Sequence, residues 1–128
     1  DGLHEGYHEN GQLWVKGNYI DGKQDGLWEM YLENGQLQFR WNSKDGKQNG
    51  LREWFHKNGQ LREKGDYKDG KEEGLWELFD EEGNLTQTQE YKDGEKDGLY
   101  ETFSEYGQFR SKSCYKNDKI IDMSYCEK

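Results

Sequence analysis

Five glutamates stand at a fixed interval along the chain: Glu5, Glu29, Glu53, Glu77 and Glu101. Carboxylates in a row are the raw material of general acid–base and glycosidic chemistry, so their spacing in space decides what they can do. If each falls in successive two-stranded units, neighbours lie about 10 Å apart, since strands pack about 4.8 Å from one another. A retaining glycosidase needs about 5 Å, and the wider inverting separation has no other feature of the sequence behind it. The histidines fare no better as metal ligands. His8 and His56 are two intervals apart, hence about 20 Å distant, and His4 and His8 are about 13 Å apart on one extended strand. Neither pair can share an ion, whose ligands must lie about 2 Å from it. The Asp-Gly stretches at Asp21 and Asp69 are too short for a calcium loop and are flanked by lysine. Cys114 and Cys126 lack a fixed base and oxyanion donors. They can be read equally as a disulfide stapling the C-terminal end or as reduced thiols, which leaves the compartment open. No catalytic residue, metal or cofactor is expected, and the chain reads as a non-enzyme.

The same interval organises everything else. Gly2, Gly26, Gly50, Gly74 and Gly98 recur with it, as do Leu3, Leu27, Leu51, Leu75 and Leu99, and then Tyr7, Tyr31, Phe55, Phe79 and Phe103. A repeat of this length marks a stacked, quasi-one-dimensional architecture. The 128 residues form one domain of repeats at 2–25, 26–49, 50–73, 74–97 and 98–121 with a cap over 122–128. In that cap a shortened last turn aligns Tyr125 with Phe103. Charged residues make up 35% and hydrophobic ones 30%, a balance typical of disorder. The aromatics argue otherwise: they reach 15% and sit at fixed repeat positions, and each ring buries a large area. Glycines, expected at turns, and the absence of proline suit a sheet. The net charge of −9 argues against nucleic acid, which demands clustered cations, and disfavours anionic membrane lipid. No apolar run is long enough for a transmembrane helix. Asp1 is in phase with Asp25, Asn49, Glu73 and Asp97, which fits a mature or trimmed form preceded by an export signal or by further repeats.

Within the third repeat, Leu51–His56 alternates like a strand, Lys57-Asn58-Gly59-Gln60 is a turn, Leu61–Tyr67 returns, and Lys68-Asp69-Gly70-Lys71 turns again. Glycine-bearing turns about every 12 residues leave no room for a helical stripe. The predicted fold is therefore all-β: an elongated single-layer sheet of five hairpins. Two registers compete. A two-residue turn at Asn58-Gly59 sets Glu53 opposite Lys64; a three-residue loop with left-handed glycine sets Phe55 opposite Leu61. The period of two implies that only one can hold. The second is preferred because it gathers Leu27, Tyr31, Leu51, Phe55, Leu61, Tyr67, Leu75, Phe79, Leu85 and Tyr91 on one face, and burial outweighs exposed ion pairs. Trp28, Trp54 and Trp76 then project from the opposite face, in line with Tyr100. That strip is the candidate partner-binding surface, exposed Trp and Tyr being common hot-spot residues, with packing between neighbouring repeats as the plainer alternative.

The string G-L-W-E-x-Y-x-x-N-G-Q-L…Y-K-D-G-K, carried with departures by residues 26–47 and 74–95, resembles the bacterial variant of the MORN repeat, and the resemblance extends from Gly2 to about Tyr115. It implies a β-hairpin array used for protein or lipid contacts. Arrays of this kind occur in YwqK-type antitoxins, which makes an antitoxin-like protein-binding scaffold the favoured function. A lipid-associated module bearing a phosphatidylinositol-4-phosphate 5-kinase-type name without kinase motifs, and a structural homo-oligomer, are the alternatives the resemblance leaves.

Overall fold

The computed structural model describes residues 1–127. They form one open antiparallel sheet in strict sequence order: β1 (Gly2–Tyr7), β2 (Leu13–Ile20), β3 (Lys23–Tyr31), β4 (Leu37–Lys44), β5 (Lys47–Phe55), β6 (Leu61–Lys68), β7 (Lys71–Phe79), β8 (Leu85–Lys92), β9 (Glu95–Phe103), β10 (Phe109–Lys116) and β11 (Lys119–Ile121). A short 3-10 helix, Met123–Tyr125, follows β11. The fold class is thus the expected all-β hairpin array.

Two kinds of turn alternate. At the far tip of each hairpin a three-residue loop closes: His56 N–H donates to Gln60 O, and Gly59 N–H donates to His56 O. Gly59 has φ 90°, a left-handed value that a side chain would oppose. Between hairpins, Asp-Gly forms a two-residue turn with both residues at positive φ, as at Asp69 (50°) and Gly70 (85°). Asn117 and Asp118 adopt the same left-handed conformation before β11, so the last turn keeps its shape although it has lost its glycine.

The two rival registers coexist. Glu53 pairs with Lys64 and Phe55 pairs with Leu61, because a bulge lies between Trp54 and Phe55 on the pairing ladder. Arg62 is the extra residue on the returning strand, and it flips the parity of everything after it. This corrects the expectation in two ways. Lys64 joins Glu53 on the face carrying Leu51 and Phe55, while Tyr67, expected there, moves to the opposite face. Tyr91 moves likewise, after the equivalent bulge between Leu78 and Phe79. The repeat-initial glycines also differ from expectation. Gly26, Gly50 and Gly74 lie inside β3, β5 and β7 rather than at turns, where their neighbouring strands shift register.

Candidate interaction surface

The two faces of the sheet differ in how they treat their side chains. On one, rings touch from strand to strand: His4 and Tyr19 flank Trp28, Trp28 stacks on Trp41 at 6.1 Å, and Phe39 stacks on Trp54 at 5.4 Å. Farther along, Tyr67 and Tyr91 meet Trp76 edge-on at 5.4 and 6.0 Å. Arg52 occupies the repeat position held elsewhere by Trp28 and Trp76, and it joins the two runs. Its guanidinium lies 4.5 Å over Phe39 and 5.4 Å over Tyr67, donating a hydrogen bond to the Tyr67 hydroxyl. This aromatic face holds the two buried rings, Trp28 and Trp76.

Gly17 and Gly65 are buried beneath Trp28 and Trp76. A Cβ at either glycine would run into the indole above it, so the absence of a side chain is what lets each ring lie flat on the backbone. The pairs Gly17–Trp28 and Gly65–Trp76 occupy equivalent places two repeats apart. So do two tip staples: His8 Nε2 bonds Tyr31 O and Asn10 donates to Glu33 O, while His56 Nε2 bonds Phe79 O and Asn58 donates to Glu81 O. The packing unit is therefore two hairpins, not one. The placing of His8 and His56 in the first and third repeats carries this signal in the sequence.

Of the four residues expected to bind a partner, Trp28 is 2% and Trp76 5% exposed. Both are core, a correction to the expected strip. Trp54 and Tyr100 are half-buried. Trp54 has Arg62 4.3 Å above its ring and Tyr100 lies edge-on to Tyr115. The exposed apolar row lies on the other face, the one expected to be core: Leu3 is 66%, Leu27 45%, Leu51 43% and Leu75 51% exposed.

Alongside that row runs a ladder of alternating charge, one residue per strand from β2 to β7: Lys16, Glu29, Arg40, Glu53, Lys64, Glu77. Ion pairs close between hairpins, Lys16–Glu29 at 3.7 Å, Arg40–Glu53 at 2.6 Å and Lys64–Glu77 at 3.8 Å. Thr88 replaces the next cation and is buried. Three of the repeating glutamates, Glu29, Glu53 and Glu77, thus neutralise lysine or arginine across the hairpin boundaries, with their own side chains largely covered.

On the aromatic face the Glu63 carboxyl is held above its ordinary range; burial pushes it up, Arg52 and Arg62 pull it down, and Glu72 adds to the rise. A raised carboxyl binds protons more readily folded than unfolded, so stability falls as pH climbs through the acidic range. Glu63→Gln is expected to raise the urea midpoint at pH 7 and to match the parent below about pH 3, where Glu63 is protonated in both states. A lower midpoint at pH 7 would make Glu63 an anchoring partner of the arginines instead.

The C-terminal end is closed covalently. Cys114 on β10 is bonded to Cys126, with Cα atoms 5.9 Å apart, and Cys114 is 1% exposed. Asp122 caps the 3-10 helix by accepting from Ser124 N–H, and the Tyr125 hydroxyl donates to Asp97. Tyr125, expected to align with Phe103 in a shortened repeat, lies instead in the helix, clasped back over β9. With both sulfurs in a disulfide, neither cysteine is a nucleophile. Among the described residues no three His, Cys, Asp or Glu side chains gather as a metal site.

The solved structure of accessory secretory protein 1, 2 and 3 from Streptococcus pneumoniae is similar over 80% of this chain at 14% identity, with a TM-score of 0.46. This chain spans 19% of the length of that one. No curated protein matches. Four consecutive stretches, residues 1–21, 24–45, 48–69 and 72–93, match the MORN repeat variant. They fall on the first four hairpins, β1–β2 through β7–β8. The chain belongs to the MORN repeat variant family.

Proposed function

We propose that this repeat scaffold is non-enzymatic and makes protein–protein contact through its leucine face. The exposed row of Leu3, Leu27, Leu51 and Leu75 carries the reading: large apolar side chains kept in solvent at hairpin spacing mark an interaction surface. The aromatic face is a weaker candidate, because its rings are already packed on one another and beneath arginine. An antitoxin-like, inhibitory role is the form of this reading that the repeat resemblance suggests; it requires a second protein whose active surface the sheet covers.

Immobilised wild-type chain and its Leu27→Ser/Leu51→Ser/Leu75→Ser variant, challenged with extract of the native host, test the reading. The variant should fold normally, since those side chains are exposed, and should lose the proteins retained by the wild type. Retention unchanged by the three substitutions would move the contact off this face.

A further inference from the structure

We propose that the leucine face pairs with the same face of a second copy of this chain, about a two-fold axis lying along the strands between β4 and β5. The inference rests on the reading of the leucine face as the contact surface, and names its occupant.

The charge ladder supplies the first argument. Read from β2 to β7 it is Lys16, Glu29, Arg40, Glu53, Lys64, Glu77. An axis between β4 and β5 lays β2 over β7, β3 over β6 and β4 over β5 of the second copy. Lys16 then faces Glu77, Glu29 faces Lys64 and Arg40 faces Glu53, and each contact occurs twice. Every rung is opposite in sign. An axis through the middle of a strand gives the reverse, with Lys16 over Lys64 and Glu29 over Glu53. The alternation therefore excludes every axis through a strand, and among axes between strands the one between β4 and β5 pairs all six rungs with one another. Fixing register is the usual contribution of charge at an interface. One strand farther out, the interruption at Thr88 sets a neutral residue against Glu5 of the second copy, and no like charges meet there either.

The apolar row agrees with the same axis. Leucines occupy β3, β5 and β7, with Asn18, Asn42 and Asp66 on the strands between them or beside them. Under this rotation Leu27, Leu51 and Leu75 fall opposite Asp66, Asn42 and Asn18. Each leucine enters between two leucines of the other row, so side chains about 10 Å apart within a sheet interleave at about half that spacing. The Asn42 side chain donates to Leu51 O, so it is engaged within its own sheet. Eight overlapping strands of about eight residues cover about 1,000 Å² per copy at ordinary strand spacing, against about 800 Å² per partner in a stable complex. Sheets whose strand axes run parallel also stack in the aligned manner usual for two-layer β proteins.

Sedimentation equilibrium of the full chain from about 1 μM to about 1 mM reads the association directly. The wild type should show a reversible monomer–dimer equilibrium that weakens with salt, and Leu27→Ser/Leu51→Ser/Leu75→Ser should stay monomeric with an unchanged far-UV circular dichroism spectrum. Arg40→Glu alone and Glu53→Arg alone should each weaken the dimer at least tenfold. Mixing these two single variants should restore a one-to-one dimer. Neither chain regains its own Arg40–Glu53 pair in that mixture, so recovery can come only from rungs between copies. A wild type that is monomeric throughout, a dimer indifferent to the leucine substitutions, or failure of the mixture to recover while both singles keep the parent spectrum would each overturn the proposal. A monomer that still retains another protein through its leucines would overturn this inference and leave the contact-face reading standing.

Discussion

Trp76→Ala is expected to cost about 3–5 kcal/mol of stability, the range for emptying a core site of a large aromatic. The ring is 5% exposed, lies on Gly65, and holds Tyr67 on one side and Tyr91 on the other. Its removal frees both tyrosines and exposes the β6–β7 backbone. Trp28→Ala should behave the same way, because Gly17, Tyr19 and Trp41 surround it equivalently. Gly65→Ala should lose most of this stability by another route, since the new Cβ collides with the indole and over-packing typically costs about 1–3 kcal/mol before the ring is displaced. The contrast lies with Leu51→Ala, which removes a side chain already 43% exposed and should cost less than about 1 kcal/mol at concentrations where the chain is monomeric. Urea unfolding followed by circular dichroism ranks these four variants. A Leu51 effect larger than that of Trp76 would reverse the assignment of the faces.

The second large effect concerns the C-terminal clasp. Cys126→Ser opens the loop that joins Cys114 to the 3-10 helix, and a closed loop of this size is worth about 2–4 kcal/mol. In a one-dimensional array the loss stays near its origin, because each hairpin contacts only its neighbours. Amide exchange should therefore accelerate in β10, β11 and the 3-10 helix while β3–β8 keep their protection. The tether between the Tyr125 hydroxyl and Asp97 should fail with the disulfide. Uniform acceleration across all eleven strands would show the sheet to be a single cooperative unit, contrary to this account.

Much of the architecture is legible in the residues. The interval of Gly2, Gly26 and Gly50 predicts the hairpins, and Asn58-Gly59 and Asp69-Gly70 mark their turns, the first with a left-handed glycine in the preferred register. Other features are hidden, for two physical reasons. The first is parity. Treating Leu61–Tyr67 as an unbroken alternation makes the Glu53–Lys64 and Phe55–Leu61 pairings exclusive, and places Tyr67 with Leu51. One bulged residue, Arg62, satisfies both pairings and turns Tyr67 over. Alternation and turn chemistry do not locate that residue, although a polar side chain directly after Leu61 is compatible with it.

The second reason is reach. Hydrophobicity assigns leucine to the core, but Leu27 and Leu51 are a full hairpin apart, about 10 Å, too far for aliphatic side chains to shield one another. Rings and guanidinium groups bridge adjacent strands at the 4.3–6.2 Å separations seen from Trp28 to Tyr115. In a sheet one layer thick, lateral contact rather than hydropathy decides which face is buried, and it buries Trp28 and Trp76. That alone misplaces the candidate site. Gly17 and Gly65, set two repeats apart, are the available clue that something large lies flat on the backbone there.

Hydroxyl-radical footprinting read by mass spectrometry, on dilute wild-type chain and again on concentrated chain, tests the division of faces most directly. In the dilute sample Leu27, Leu51 and Leu75 should be oxidised readily. Trp28 and Trp76 should resist despite the higher intrinsic reactivity of indole, and concentration should protect the leucines while leaving the tryptophans as they were. Oxidised Trp28 and Trp76 beside protected leucines in the dilute, folded chain would contradict the account.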